Sequence, residues 1–298
     1  MLIRLRLDPR LLEEVVHLEL RRRQEEGDGR LFEDYHSQAD TLYQAGAQQR
    51  ESEFSALHRR LFRELGFEAR ITEALSAHGR ALAGLESLTC LRTLRPEEEG
   101  ADLGAQAAAA NAVLRVRAAR FLVPDELARF LDHELAHLAD LLSPAYGHNP
   151  GSLAAISPHR RRLVQERYRA LWAASVDGRI DRQGRPPLVP QAGHRAELRR
   201  SFPSLPDLEL DGLLDRLWKE ARPTHAGLVA LAVGRGAREP HQPGAPCPLC
   251  AFPTHHWADT TDDTLIRAIL TDVPGWEPED GLCDRCFEMY EIRSLTQA

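Results

Sequence analysis

Two groups of residues in this chain have the types and spacing of metal chemistry. The first is His133-Glu134-Leu135-Ala136-His137. On a helix, residues four apart lie one turn apart on the same face, so both imidazoles can grip one tetrahedral ion. Glu134 is turned by about 100° from His133. That suits a base beside the metal rather than a ligand on it. The second group is a pair of C-x-x-C knuckles, Cys247-Pro-Leu-Cys250 and Cys283-Asp-Arg-Cys286. Four thiolates close a tetrahedral shell, so a zinc held there is structural and has no open position. Cys90 stands apart in an apolar stretch and reads as a buried structural thiol.

The elements that must position the histidines are legible around them. Leu127, Phe130, Leu131, Leu135, Leu138 and Leu142 form one apolar stripe of a helix. Pro124, Asp125 and Glu126 suit its first turn, and Ser143-Pro144 ends it. Upstream, residues 112–118 alternate, with Ala112, Leu114, Val116 and Ala118 on one side and Arg115 and Arg117 on the other. That is a half-buried strand. Downstream, Ser157-Pro158 opens a helix that reaches about Asp181, with a core stripe of Val164, Tyr168, Leu171, Trp172, Val176 and Ile180. Gly184, Pro186, Pro187 and Pro190 stop it.

The rest of the chain frames this core. Residues 1–100 read as a helical N-terminal region without catalytic chemistry. Its apolar pattern begins at Leu11 and Leu12. It continues through Phe54, Leu57, Leu61, Phe62 and Leu65 to a cap at Gly66, and a second helix spans Ile71 to Leu85. The core with its helical extension spans 101–233, with shorter helices around Leu208–Trp218 and Ala226–Val233. Three Gly and three Pro mark 234–246 as a linker, and 247–298 forms the four-cysteine zinc module. The expected fold class is mainly α with a short β-sheet and a small zinc-stapled C-terminal module.

The 298 residues carry 28% charged and 43% hydrophobic side chains, which excludes global disorder. No apolar run is long enough to span a membrane, and charges interrupt the one at the start, so a cytoplasmic protein is expected. The net charge of −7 argues against a general nucleic-acid coat. Between Cys250 and Cys283 seven acids face one base, Arg267, a stretch that repels phosphate. A protein-contact role for the four-cysteine module is expected instead, with Trp257 or Trp276 as anchors if they are exposed.

In the part from about Ala112 to Asp181 the chain resembles the zincin metallopeptidases, through His133-Glu-x-x-His137 and the strand before it. The resemblance extends to uncharacterised bacterial zincins with an Arg167-Tyr-Arg-Ala-Leu-Trp172 stretch followed by Asp177-Gly-Arg179. In that family an edge strand binds extended substrate, and the next helix supplies two zinc-binding histidines and the catalytic glutamate. The four-cysteine module resembles zinc-ribbon or treble-clef modules.

A catalytic zinc usually has three protein ligands. Asp177 is the first candidate for the third, because it lies on the helix ending near Asp181, where Ala170, Ala173 and Ala174 permit close approach. Asp181, one turn later, could orient a ligand histidine. This pattern resembles the gluzincin arrangement. His148 is the runner-up, since His137…Tyr146-Gly147-His148-Asn149 resembles SprT-type zincins. Glu166 and then Asp140 follow. His194, Tyr146 and Arg179 are candidate oxyanion donors.

The resemblance implies a zinc-dependent metallopeptidase. Zinc polarises the scissile carbonyl and activates its water, and Glu134 serves as general base. The substrate is then a protein or peptide, and the cofactors are one catalytic and one structural zinc. The alternatives are a non-catalytic two-zinc adaptor and a SprT-type protease acting on DNA-bound proteins.

Overall fold

The computed structural model describes residues 3–44, 46–104, 110–154, 156, 158–203, 205–220, 222–234, 243–258, 260, 262–274, 276 and 278–297. The chain divides into two compact units, Met1–His148 with Val176–Pro190, and Asn149–Ser175 with Gln191–Ala298.

In the first unit, strand β1 (Arg4–Leu7) leads into helix α1 (Pro9–Glu25). The Asp8 carboxylate accepts from the Arg10 amide, and Pro9 opens the first turn, where its missing N–H costs nothing. Leu11, Leu12, Val15, Val16 and Leu20 bury one face of α1. Helices α2 (Arg30–Leu42), α3 (Ala47–Glu64) and α4 (Phe67–Ala77) follow. Three strands complete the sheet: β2 (Leu85–Arg92), β3 (Gly100–Leu103) and β4 (Ala110–Val116). Their order is β1-β2-β4-β3, with β1, β2 and β4 parallel and β3 antiparallel to β4. Helix α5 (Pro124–Leu142) packs Leu127, Phe130, Leu131, Leu135 and Leu138 into the same core as Leu88, Cys90, Leu114 and the α1 stripe.

The structure corrects three expectations. The N-terminal 100 residues are not a separate helical region, because β1 and β2 belong to the sheet and α1 to its core. The expected second helix stops at Ala77, and Leu85 begins a strand. The alternating segment before α5 is an inner strand, Ala110–Val116, paired on both sides. The edge is β3, which begins at Gly100, directly after the polar run Pro96-Glu-Glu-Glu.

The second unit holds α6 (Pro150–Ala154), most of α7 (Pro158–Arg182), α8 (Gln191–Ser201), α9 (Asp207–Lys219) and α10 (His225–Val233). Val164, Tyr168 and Leu171 of α7 are buried. The Tyr168 hydroxyl donates to Nδ1 of His225, whose Nε2–H donates to the Asn149 carbonyl. Ser157, and residues 235–242 of the expected linker, lie outside the described residues.

The four-cysteine module has two short antiparallel pairs, β5 (Ala245–Pro246) with β6 (Pro253–Thr254) and β7 (Trp257–Ala258) with β8 (Leu282–Cys283). Helices α11 (Asp263–Asp272) and α12 (Asp284–Gln297) complete it. Leu265, Ile269, Trp276, Leu282 and Tyr290 surround the cysteines. Trp276 is core, with its indole N–H donating to the Gly281 carbonyl, and Trp257 is half-buried. Trp276 is therefore no exposed anchor. No described helix is long and apolar enough to cross a membrane.

Candidate metal centres

Helix α5 presents His133, Glu134 and His137 from two successive turns, with Leu135 and Leu138 fixing the opposite face in the core. The Nε2 atoms of His133 and His137 lie 3.0 Å apart. Two nitrogens on one tetrahedral zinc at about 2.0–2.1 Å would stand roughly 3.3 Å apart, so the pair has nearly the spacing of co-ligands. The other nitrogen of His133, Nδ1, faces Oδ1 of Asp177 at 2.8 Å. A carboxylate there keeps the proton on Nδ1 and leaves the Nε2 lone pair for a metal.

Asp177, on the C-terminal turns of α7, has no solvent exposure. The turn after α7 returns over it. Leu188 N–H donates to Oδ1 and Val189 N–H to Oδ2, each at 3.0 Å. Arg185 of the same turn reaches Asp132, which also accepts from His78 at 3.0 Å. Burial opposes the Asp132 charge, but His78 and Arg185 outweigh it and hold the carboxyl below its ordinary range.

Glu134 is buried, and its Oε2 accepts from the Ala101 amide of β3 at 2.8 Å. Burial raises its proton affinity, and the neighbouring His133 and the Ala101 amide offset this only in part. The register explains the contact. Gly104 N–H bonds to Asn111 O in the ladder, so alternate residues Ala101 and Leu103 turn their main-chain groups away from β4. Gly100 takes φ 150°, and a Cβ there would stand 3.7 Å from the Glu134 carboxylate.

The remaining candidates are placed elsewhere. Asp181 is exposed, and the carboxylate at His133 belongs to Asp177 instead. His148 is exposed in the segment after α5. Glu166 is exposed and pairs with Arg162 at 3.0 Å. Asp140 is buried in a two-pronged pair with Arg179, at 2.7 Å for its Oδ1. That pair engages one of the three expected oxyanion donors. Tyr146 is buried, and His194 is buried against Trp218. Ala101, Leu188 and Val189 had no signal in the sequence, because they act through backbone amides that any residue type supplies.

The cysteines form the second centre. Sγ of Cys247 lies 3.8 Å from that of Cys286, and Sγ of Cys250 lies 3.8 Å from that of Cys283. A tetrahedral shell with Zn–S of about 2.3 Å has S···S edges of about 3.8 Å. Among the described residues these four are the one set of three or more potential ligands whose donor atoms all lie within 4.8 Å of one another. They can hold a metal ion. His133, His137 and Asp177 do not converge in that way, because Asp177 meets His133 at Nδ1 and His137 meets it at Nε2. Burial would raise the Cys247 thiol, but amide hydrogen bonds from Cys250, Cys283 and Leu249 outweigh it and bring it to about 7, whereas burial raises Cys283 and Cys286 beside it. The thiolate is the form a metal takes. The Ala251 amide, after the first knuckle, reaches Cys247 O at 2.8 Å, and its φ of 61° turns the chain so that Phe252 O accepts from the Cys247 amide at 2.8 Å.

No protein-family model, curated protein or solved structure matches this chain.

Proposed function

We propose that the protein is a zinc-dependent peptidase whose active centre is His133, Glu134 and His137. One observation carries the reading: two Nε2 atoms converge at 3.0 Å while the back of one ring is held by a buried carboxylate. The Asp177 carboxylate behind His133 aims its Nε2 toward that of His137, the arrangement a two-histidine metal site uses. Zinc bound there would supply Lewis acidity toward a carbonyl and an acidified water. His133 and His137 would supply two of its ligands through Nε2, and Asp177 keeps His133 in the required tautomer and orientation.

Glu134 does the proton work. Its Oε2 is tied to Ala101, so proton transfer falls to Oε1. A buried carboxyl with raised proton affinity takes a proton from water and returns it to a leaving amine at moderate cost. The outward edge of β3 offers the Ala101 carbonyl and both main-chain groups of Leu103 to an extended peptide, and among the described residues no strand pairs with it. The four-cysteine site, closed by its own ligands, staples the module that carries it.

The test is Glu134→Gln in the full, zinc-loaded chain against a fluorogenic peptide library. The variant should keep both zinc ions and lose cleavage by about 10²–10⁴-fold. Cleavage at the wild-type rate would refute Glu134 as the base. A wild type that holds both zincs and cleaves no peptide or protein would favour the adaptor reading.

A further inference from the structure

Helix α2 is held by little apolar surface. Of its 13 residues only Tyr35 and Ala39 are buried, with Leu31, Phe32 and Leu42 partly so. Tyr35 is also its polar anchor. Its hydroxyl lies 3.0 Å from Nε2 of His17 on α1 and 3.1 Å from Nε2 of His58 on α3. The two imidazoles are themselves in contact, with centroids 5.3 Å apart, and the Tyr35 ring stacks on His58 at 5.9 Å. His17 faces solvent, whereas His58 is buried. One hydroxyl thus joins three helices.

That hydroxyl has one proton to donate. In the closed array it donates to one imidazole and accepts from the Nε2–H of the other. A first added proton fits, because the protonated ring becomes the donor and the neutral ring the acceptor. A second does not. Both rings then donate, the tyrosine proton loses its acceptor, and two cations stand in contact.

The groups facing the array are Glu13 and His17 from α1, His36 and Tyr43 from α2, and His58 with Phe54 from α3. Glu13 favours the His58 cation. Burial, and then His17, oppose it and win, so His58 binds a proton less readily than in an open chain.

We infer that His17, Tyr35 and His58 form a proton-operated latch that holds α2 onto α1 and α3 at neutral pH and releases it when the second imidazole is protonated. The sign follows from linkage. The closed form binds fewer protons than the released form, so the latch is at full strength above the ordinary histidine value of 6.5 and weakens as pH falls below it. Release is a local opening of α2, which uncovers the α1 and α3 side chains beneath it.

Hydrogen exchange on the full, metal-loaded chain tests this, with rates corrected for the intrinsic effect of pH. Protection across 30–42 should fall tenfold or more between pH 7.5 and 5.0 while protection across 110–116 holds. His58→Gln, which cannot be protonated, should abolish that fall. If His58→Gln fails to fold, the exposed His17→Gln serves instead, since a single imidazole never meets a second charge. Glu13→Gln should move release to higher pH, because the closed form then loses the carboxylate that favours the His58 cation. Unchanged α2 protection at pH 5.0, a parallel loss across 110–116, or an undiminished fall in His17→Gln would each overturn the latch.

Discussion

Oδ1 of Asp177 and Nδ1 of His133 stand 2.8 Å apart, and that bond separates two roles an acid can play beside zinc. A ligand acid converges with the histidines on the ion, whereas an orienting acid grips the back of a ring. Both oxygens of Asp177 also receive backbone amides, so its position is fixed from three directions.

Asp177→Asn should therefore weaken zinc at the histidine centre by about 10–100-fold and leave the thiolate-bound zinc untouched. Asp177→Glu discriminates between the roles. A ligand position would tolerate the longer acid, while a carboxylate fitted to Leu188, Val189 and His133 would not. Competition with a graded chelator series measures both variants, and retention of zinc by Asp177→Glu would restore Asp177 as a ligand.

The Arg179–Asp140 pair should matter to stability rather than turnover. The two side chains are only 12% and 7% exposed. Asp140→Ala leaves a buried guanidinium without its partner and should cost about 3–5 kcal/mol in urea unfolding. Replacing both residues by leucine and methionine should cost far less. Equal losses in the single and double variants would mean that the pair is not coupled.

Thiol titration should proceed in three stages. Cys90 has no solvent exposure, and burial pushes its thiol up to about 12, so it should stay unlabelled in the native chain. With both metals bound, no cysteine should react. Strong chelation should release four, and denaturant the fifth. A fast-reacting thiol in the metal-loaded chain would contradict either the closed tetrathiolate shell or the burial of Cys90.

Ala251 is the one described non-glycine residue with positive φ. That conformation costs an L-residue about 1–2 kcal/mol, partly offset by the smaller chain entropy of alanine relative to glycine. Ala251→Gly should therefore stabilise the module by about 0.5–1 kcal/mol. A rise in the chelator concentration needed to strip the thiolate-bound metal would report it, and a fall would mean that the methyl group makes contacts that outweigh the strain.

Legibility in the sequence followed period and length. Helices α5, α7 and α9 carry an apolar stripe over 19, 25 and 13 residues, and their residues declare them. Strand β4 alternates over 7 residues and is equally plain. Strands β1 and β3 have 4 residues each, too few for a period to emerge. Strand β2 reads Leu-Glu-Ser-Leu-Thr-Cys-Leu-Arg, whose leucines three apart imitate a helix until the sheet buries Leu85, Ser87, Leu88 and Cys90. Around the histidines, side-chain chemistry was readable at one turn's spacing. The pairing of Asp177 with Nδ1 rather than Nε2 was not, because it depends on where the turn after α7 places two amides.

The sheet has a consequence for the order in which this chain can be made. Strand β1 pairs in parallel with β2, so Arg4 meets Ser87 only after the long intervening segment has been synthesised. The histidine centre waits longer still, because the Val189 amide must emerge before Asp177 is seated behind His133. On a ribosome adding residues from the N-terminus, α5 leaves the tunnel well before the turn that orients its first histidine. A nascent chain thus carries both imidazoles without their final geometry, and the seating of His133 against Asp177 arrives as one of the last events in folding the first unit.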